Sequence, residues 1–312
     1  MLSRIAESLF WIGRYIERAD DTARLLDVHV QILLEDPWAE EDMICRTLLS
    51  VMDRGLPGPD VRVDRHHVLD ALAYDRTTPA AIAGSLVAAR ENARRAREVI
   101  STELWEAVNG TWTQMGGHIQ ARHAHTFFRW VIERSSLVTG ITAQSLSRDD
   151  TWNFLILGRS IERADMTARL LATRALAGTT GPDWVTLLRS CGAHEAYLRR
   201  YRGFGSEESA AEFLLTDRLF PRSMVHALGQ AQACLDALDP STGPAGQAPV
   251  DDARRTLGHA RTTLEYGLLP DLVQNLPELM VTVQRACAAS SESIRERYFP
   301  SGALTQWFGG VL

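Results

Sequence analysis

The sequence predicts an all-α protein, a helical bundle built from two pseudo-symmetric halves by internal duplication. Apolar residues recur at three- and four-residue spacing through several long segments, which is the pattern of amphipathic helices. No alternating apolar and polar pattern of useful length appears, so strands are not expected. A fourteen-residue stretch near the start of the chain returns almost unchanged near its middle, which indicates the duplication.

Eleven segments carry the helical periodicity, and turns rich in glycine and proline separate them. The clearest breaks are GLPGPD at 55–60, GTTGPD at 178–183 and DPSTGPAGQAP at 239–249. Pro79 and Pro221 fall where helices are expected to begin, a favoured position because the first helical turn leaves that N–H without a partner. The predicted helices are 2–34, 39–53, 66–74, 79–101, 119–144, 148–176, 183–201, 207–216, 221–238, 250–266 and 277–298.

The repeated stretch retains charged residues as well as apolar ones. Residues 13–26 read GRYIERADDTARLL and residues 158–171 read GRSIERADMTARLL, with twelve of the fourteen positions identical. One of the two differences places Asp21 in the first copy against Met166 in the second. Because Gly, Glu, Asp and Arg are retained beside Ile, Ala and Leu, this stretch indicates the function more directly than any other segment.

A second match lies further along each half at nearly the same offset. It consists of Asp75, Arg76 and Pro79 in LAYDRTTPAAI and of Asp217, Arg218 and Pro221 in LLTDRLFPRSM. Each Asp-Arg pair precedes a predicted helix, where bracing or capping a turn is favoured over a direct role in binding. We interpret the chain as a single domain, 1–312, with a first half of about 1–145, a second half of about 146–238, and C-terminal helices and a tail of 239–312.

Composition and charge narrow the class of protein. With 45% hydrophobic and 23% charged residues in 312, the chain has the composition of an ordinary globular protein. The formal net charge of −6 argues against nucleic acid as the main partner. No apolar run approaches the roughly 18 residues of a membrane span, and the N-terminus lacks the apolar core of a signal peptide. The four isolated cysteines suit a reducing compartment, so we expect a cytoplasmic protein with no membrane partner.

Several kinds of catalytic site are absent from the sequence. All 33 basic residues are arginine, which excludes a Schiff-base lysine, a P-loop lysine and a lysine general base. No Ser-His-Asp or Cys-His arrangement, glycine-rich phosphate loop or zinc-ligand spacing can be recognised. The sequence therefore gives no sign of a self-sufficient enzyme, and it predicts no metal and no cofactor.

The charged residues of each copy form a narrow stripe along the border of the helix's apolar face. The stripes contain Gly13, Glu17, Asp20 and Arg24 in the first copy and Gly158, Glu162, Asp165 and Arg169 in the second. The neighbouring stripes contain Arg14 and Arg18 in the first copy and Arg159 and Arg163 in the second. If the two motif helices pack about a shared axis, the carboxylates and arginines of both copies meet near the centre of the bundle.

Three interpretations of the stripe remain open at this stage. The favoured one is a symmetric ion-pair lock, because partly buried charge is costly unless paired and sets register more reliably than it adds stability. The second is a ligand or partner site in which arginine grips a carboxylate or phosphate. The least favoured is a metal site on the two Glu-x-x-Asp pairs, which lack the histidine of di-iron bundles and have arginine where a cation would sit.

The segments FWIGRYIERADDTARLLDV, its second copy, ARENARRAREVISTELWEAVN and FLLTDRLFPRSM resemble the alpha-E family, a bacterial all-helical domain with a Glu-Arg motif. The resemblance covers nearly the whole chain, and the motif would be Glu17-Arg18 and Glu162-Arg163. It implies association with a circularly permuted ATP-grasp protein, with transglutaminase-like proteins as frequent genomic neighbours. It also implies a system that makes or modifies peptides by ATP-dependent amide ligation. No catalytic residue can be carried over from the family.

Three function hypotheses follow from the residues and the resemblance. The first is a non-catalytic partner of an ATP-grasp amide ligase, which binds the ligase or a carboxylate or peptide substrate through the polar stripes. The second is an enzyme in which Glu17 or Glu162 acts as a base and an arginine holds an anionic group. The third is a scaffold or homodimer that the motif helices hold together. We expect the stand-alone form of the family, because no ATP-grasp segment precedes Met1.

Overall fold

The chain folds into helices, and the predicted all-α class is confirmed. The structure, a computed structural model, describes residues 1–35, 40–121, 123–177, 182–203, 205–240 and 252–300. Within these ranges there are fourteen α-helices and one π-helical segment, and no strand. None of these helices combines the length and the apolar character that crossing a membrane requires.

The helices have the following bounds. The first half contains α1 (Ser3–Glu35), α2 (Glu41–Val51), α3 (Arg65–Val68), a π-helical segment (Leu69–Tyr74), α4 (Ile82–Arg95), α5 (Thr102–Ala121) and α6 (Ala124–Ser145). The rest of the chain contains α7 (Asp150–Ala177), α8 (Trp184–Ser190), α9 (His194–Arg200), α10 (Glu207–Thr216), α11 (Met224–Leu238), α12 (Asp252–Tyr266), α13 (Leu269–Gln274) and α14 (Leu276–Tyr298).

The two motif helices, α1 and α7, form the centre of the bundle and pack along each other. Helices α4 and α6 pack on α1, and α5 covers both of them; helices α11 and α14 pack on α7, and α12 covers both of those. The apolar face of α1 is buried in this core, as are the four cysteines, which are free thiols. The face consists of Ile5, Leu9, Ile12, Ile16, Ala19, Ala23 and Leu26.

The order of packing bears on where the second half ends. Helices α12 and α14 contact α11 and α7 in the way that α5 and α6 contact α4 and α1. The duplication stays a prediction, since it rests on the sequence match. If the duplication is correct, the second unit extends to the end of α14. Helices α12, α13 and α14 then belong to that unit instead of forming a C-terminal extension.

Four of the predicted helices begin elsewhere or are divided in the structure. The predicted helix 119–144 begins at Ala124, and the preceding glycine-containing segment, for which no helix was predicted, forms α5. The predicted helix 183–201 is two helices, because Gly192 takes a left-handed conformation (φ 61°) between them. Pro79 and Pro221 lie in turns three residues before α4 and α11, where their carbonyl oxygens accept side-chain hydrogen bonds.

Candidate functional site

Helices α1 and α7 approach each other closely at the glycine that opens each copy of the motif. A Cβ on Gly13 would overlap the carbonyl oxygen of Leu155 and lie 2.8 Å from the backbone nitrogen of Arg159. A Cβ on Gly158 would overlap the carbonyl oxygen of Phe10 and lie 2.9 Å from its carbonyl carbon. Because only glycine lets two backbones come this close, the repeated glycine sets the distance between the motif helices.

The Glu-Arg pairs of the two copies bind each other reciprocally. Glu17 accepts two hydrogen bonds from Arg163, from Nε to Oε1 at 2.6 Å and from Nη2 to Oε2 at 2.9 Å. Glu162 accepts two from Arg18, at 2.5 Å and 3.0 Å. The glutamates are 2% and 1% exposed. Each copy therefore supplies the acid of one bidentate pair and the base of the other, and bidentate pairs are geometrically specific.

Each glutamate contacts a second guanidinium group, and here the two copies differ. Glu162 accepts a hydrogen bond from Arg14, which also donates to Ser291 of α14 at 2.7 Å. The second guanidinium beside Glu17 belongs to Arg222, in the turn before α11, and lies 3.1 Å away. The network is therefore pseudo-symmetric in its central pairs and asymmetric in the cations around them.

The surrounding arginines keep both glutamates ionised. Burial alone would raise the pKa of Glu162, but the guanidinium groups of Arg14 and Arg18 outweigh burial and lower the pKa to about 2. Burial likewise opposes ionisation of Glu17, and its arginine neighbours lower that pKa to about 2. Both side chains are therefore fixed anions at neutral pH.

We expect stability to fall as the pH drops from 4.5 towards 2. Because folding lowers the pKa of Glu162 from 4.5 to about 2, its contribution is complete above the unfolded value and is lost as the pH falls through the folded one. At about 1.4 kcal/mol per pKa unit, that contribution is on the order of 3 kcal/mol. Urea unfolding followed by circular dichroism between about pH 7 and about pH 3 measures the slope. In Glu162→Gln the slope should be shallower; an unchanged slope in that variant would contradict the assignment.

Arg222 also belongs to the site, although the sequence does not predict it; it lies in the matched stretch FLLTDRLFPRSM. Its guanidinium group contacts Asp20 and Asp21 as well as Glu17. Burial would lower the pKa of Arg222, but the three carboxylates raise it well above its usual value. Comparison of the two halves selects only the residues that they share, and the residue that matches Arg222 is Ala80.

The carboxylates around Arg222 are close enough together to suit a metal ion. Oxygens of Glu17, Asp20 and Asp21 lie within 4.8 Å of one another. Asp20 Oδ1 and Asp21 Oδ2 are buried without a hydrogen-bond partner. Burial, together with the charges of Glu17 and Asp20, raises the pKa of Asp21 to about 7 against the opposing effect of Arg222. In this structure the cation among these oxygens is a guanidinium group.

The shared stripe predicted that Arg24 and Arg169 would meet at the centre of the bundle. This prediction was wrong. Each pairs with an aspartate one turn earlier on its own helix, Arg24 with Asp20 at 3.1 Å and Arg169 with Asp165 at 2.8 Å. Arg169 also donates to the carbonyl oxygen of Val51 at the end of α2. The four-residue spacing favours these local pairs, so the cations that cross between the motif helices come from the neighbouring stripe instead.

Arg159, which matches Arg14, forms no ion pair among the described residues. Its Nε is buried without a hydrogen-bond partner. Burial and the charge of Arg163 lower its pKa to about 10. Arg14 pairs with Glu162 in one half of the network. In the other half, the corresponding glutamate, Glu17, has Arg222 as its second cation instead of Arg159.

The aspartates of the two Asp-Arg pairs brace their own turns, and none of the four residues joins the motif. Asp75 and Asp217 each accept backbone N–H hydrogen bonds from residues two or three positions later. Arg76 is exposed, and Arg218 pairs with Glu265 at 2.6 Å. The hydrogen bonds of the two aspartates are those of turn supports, and a direct role of the pairs in binding stays a prediction.

Replacing Arg222 with methionine is expected to lower the free energy of unfolding by about 3–5 kcal/mol at neutral pH, because Asp20, Asp21 and Glu17 would stay buried with too little positive charge. The matched control is Arg255→Met, which removes a guanidinium from an exposed pair with Asp252 and should cost less than about 1 kcal/mol. Urea denaturation of both variants measures the difference. Equal costs would contradict a structural role for Arg222.

Comparison with known proteins identifies the relatives of this chain. Residues 1–299 match the model of the Alpha-E family, described as a predicted alpha-helical domain with a conserved ER motif. An uncharacterized protein of Mycobacterium tuberculosis (strain H37Rv) is 26% identical over 276 residues, which cover 77% of this chain and 30% of that protein. An uncharacterized protein of Mycobacterium bovis is 25% identical over 278 residues, with the same coverage. The chain thus spans less than a third of the length of these relatives.

No solved structure matches the chain. The reciprocal Glu17–Arg163 and Glu162–Arg18 pairs give a physical reason for an ER motif in such a fold, because each Glu needs the Arg of the other copy. With the family model matching nearly the whole length and the motif present twice, this chain belongs to the Alpha-E family.

Proposed function

We propose that this chain is a non-catalytic helical partner of an ATP-grasp amide ligase, in which the Glu-Arg motif is a structural lock. The observation that supports the lock is the reciprocal pairing of Glu17 with Arg163 and of Glu162 with Arg18 at the contact of the two central helices. All four residues take part in bonds within the chain, and the lock holds the helices in register. We therefore expect the ligase to bind groups of the chain other than these four ion-paired residues.

The same geometry argues against an acid-base role for the motif. A general base works best when its pKa lies near the working pH. The pKa of Glu17 and that of Glu162 are both lowered to about 2, and both oxygens of each carboxylate accept hydrogen bonds from arginine. We therefore place the enzyme hypothesis second to the structural lock.

The partner in this proposal comes from the family resemblance. Alpha-E proteins are associated with circularly permuted ATP-grasp proteins, so the partner that we propose is a ligase of that class, acting in peptide synthesis or modification in the cytoplasm. A transglutaminase-like protein is the next candidate. The chain spans only 30% of the length of its mycobacterial relatives, and the proposed partner role is that of this chain alone.

The proposal is tested by co-purification with a circularly permuted ATP-grasp protein from the same organism, with no nucleotide, with ADP and with ATP. We expect a complex of defined stoichiometry in sedimentation velocity under at least one condition. Failure to associate under all three would overturn the partner assignment. The Glu17→Gln, Glu162→Gln double variant tests the lock separately. We expect its melting temperature to be lower than that of the parent protein. An unchanged melting temperature, together with loss of the activity of the ligase complex, would favour a catalytic motif instead.

A further inference from the structure

The two halves of the chain differ at one position that matters for the motif. The turn before α11 reads Pro221-Arg222, and the turn before α4 reads Pro79-Ala80. Both turns lie next to a motif helix, and the proline carbonyl in each accepts a hydrogen bond from the arginine of a Glu-Arg pair. In the first copy a guanidinium therefore fills the space beside the carboxylates, whereas the second copy has only a methyl group in the matching turn.

A cavity of about 200 Å³ lies beside the second copy. Ala80 lines it together with the carboxylates of Glu162 and Asp165. Met52 and Met166 provide apolar wall, and Met166 stands where the first copy has Asp21. Since a water molecule takes up about 30 Å³ in the liquid, the cavity can hold a guanidinium group and part of its methylene stem.

Asp165 presents a free acceptor to this cavity. It is 8% exposed, and Arg169 donates to its Oδ2. Among the described residues no donor bonds to its other oxygen. The matching residue of the first copy, Asp20, has two arginine partners, Arg24 and Arg222. Burial, helped by the charge of Glu162, raises the pKa of Asp165, as expected of a carboxylate whose charge is incompletely compensated.

A third carboxylate lines the cavity of the second copy. Asp53 follows the end of α2 with a left-handed backbone (φ 52°). Gly192, the second residue after the end of α8, also has a left-handed backbone (φ 61°) and packs against Arg24. The second copy therefore loses the carboxylate of Asp21 but gains one at the exposed rim of the cavity.

The charged groups of the two copies also differ. In the first copy, three buried carboxylates pair with the guanidinium groups of Arg24, Arg163 and Arg222. In the second copy, the two buried carboxylates pair with those of Arg14, Arg18 and Arg169, and the third carboxylate at the cavity, that of Asp53, is exposed.

We propose that the cavity formed by Ala80, Glu162 and Asp165 is a binding site for a guanidinium group from outside the chain, in the place that Arg222 fills in the first copy. The arginines that line the cavity are compatible with such a guest. Arg18 and Arg169 match Arg163 and Arg24, and those two lie beside Arg222 in the first copy. The site is independent of the identity of the ligase partner, because it rests only on the comparison of the two copies.

Calorimetric titration of the full chain with N-acetyl-L-arginine amide tests the site. We expect saturable binding at one site. The citrulline analogue has the same shape but no charge, and it should bind about tenfold more weakly or worse, because a hydrogen bond to a charged group contributes about 1.5–3 kcal/mol. Equal affinity for the two probes, or no heat from either, would overturn the proposal.

Two variants locate the bound probe. Ala80→Arg supplies the guanidinium from within the chain and should reduce affinity at least about tenfold, while raising the melting temperature. Asp165→Asn removes the negative charge and one of the two acceptor oxygens with little change of shape. It should also weaken binding, so the test does not depend on one variant folding. Unchanged affinity in either folded variant would contradict the assignment.

The source of the guanidinium is decided by a further comparison. Free L-arginine carries a charged ammonium and a carboxylate that the blocked amide lacks. Tighter binding of the blocked amide would assign the site to an arginine side chain of a partner polypeptide, and tighter binding of free arginine would assign it to the amino acid. If N-acetyl-L-aspartate amide binds more tightly than both arginine probes, the cavity is an anion site on Arg18 and Arg169, and the proposal is wrong.

Discussion

Glu162→Gln is expected to lower the free energy of unfolding by about 3–5 kcal/mol at neutral pH, because breaking a buried ion pair leaves its partners charged and unpaired. In this chain the stranded groups are two guanidiniums, those of Arg14 and Arg18. The amide of glutamine can accept hydrogen bonds with its one oxygen only and carries no charge to offset either arginine. Urea denaturation at about pH 7 measures the loss.

The matching change in the other copy should cost less. When Glu17 becomes glutamine, Arg222 keeps Asp20 and Asp21 as partners, so only Arg163 loses its carboxylate. We therefore expect Glu162→Gln to be the more damaging of the two substitutions, by roughly the 1–3 kcal/mol of one unsatisfied buried group. Equal losses would show that the asymmetry of the cations does not matter energetically.

Glu91→Gln is the control for the loss of a carboxylate as such. Glu91 accepts hydrogen bonds from Arg90 and Arg94 on one helix, and its side chain is 39% exposed. An exposed ion pair of this kind contributes at most about 1 kcal/mol. If Glu91→Gln and Glu162→Gln lower the free energy of unfolding equally, the burial of Glu162 does not explain the loss of stability.

The helical class could be predicted from the sequence because each long helix carries its own apolar periodicity. The segments of α1 and α7 show this most clearly, and their predicted ends, 34 and 176, lie one residue from the observed ones. Helix α5 was not predicted, since its sequence TELWEAVNGTWTQMGGHIQA contains three glycines that act as breakers in isolation. Packing against α4 and α6 overrides that local preference.

The residues of the site could be predicted only in part, because their partners lie on other helices. A helical wheel shows which residues share a stripe, so it located Glu17 and Glu162 at the edge of the core. It does not show which residue of another helix will face them. The reciprocal partners Arg18 and Arg163 therefore fell on the neighbouring stripe. Arg222 was beyond reach, because it comes from a turn 201 residues away from Asp21 and has no counterpart in the first half.

Gly158→Ala is expected to destabilise the protein by several kcal/mol, although it adds a single methyl group. The new Cβ would overlap the carbonyl oxygen of Phe10 and lie 3.2 Å from its Cα. Backbone atoms of a central helix cannot rotate away, so α1 and α7 would have to separate. Overpacking of a core typically costs about 1–3 kcal/mol, and here the separation would also stretch the Glu17–Arg163 and Glu162–Arg18 pairs.

Gly140→Ala is the control for the helix-forming effect of alanine. Gly140 lies within the second half of α6 with no other group within 4 Å of a Cβ, so this change should stabilise by about 0.5–1 kcal/mol. Urea denaturation of both variants gives the comparison. If Gly158→Ala behaves like Gly140→Ala, the helices are not held as close together as the structure has them.

The double variant Gly13→Ala, Gly158→Ala shows whether the two glycines serve one contact. Each cost contains the energy of moving α1 and α7 apart. Once one methyl group has forced the helices apart, the second meets a gap that already exists, so the double variant should lose less than the sum of the single losses. Two independent sites would add instead. Because the same separation weakens the ion pairs, Glu162→Gln should likewise cost less in the Gly158→Ala background than in the parent protein.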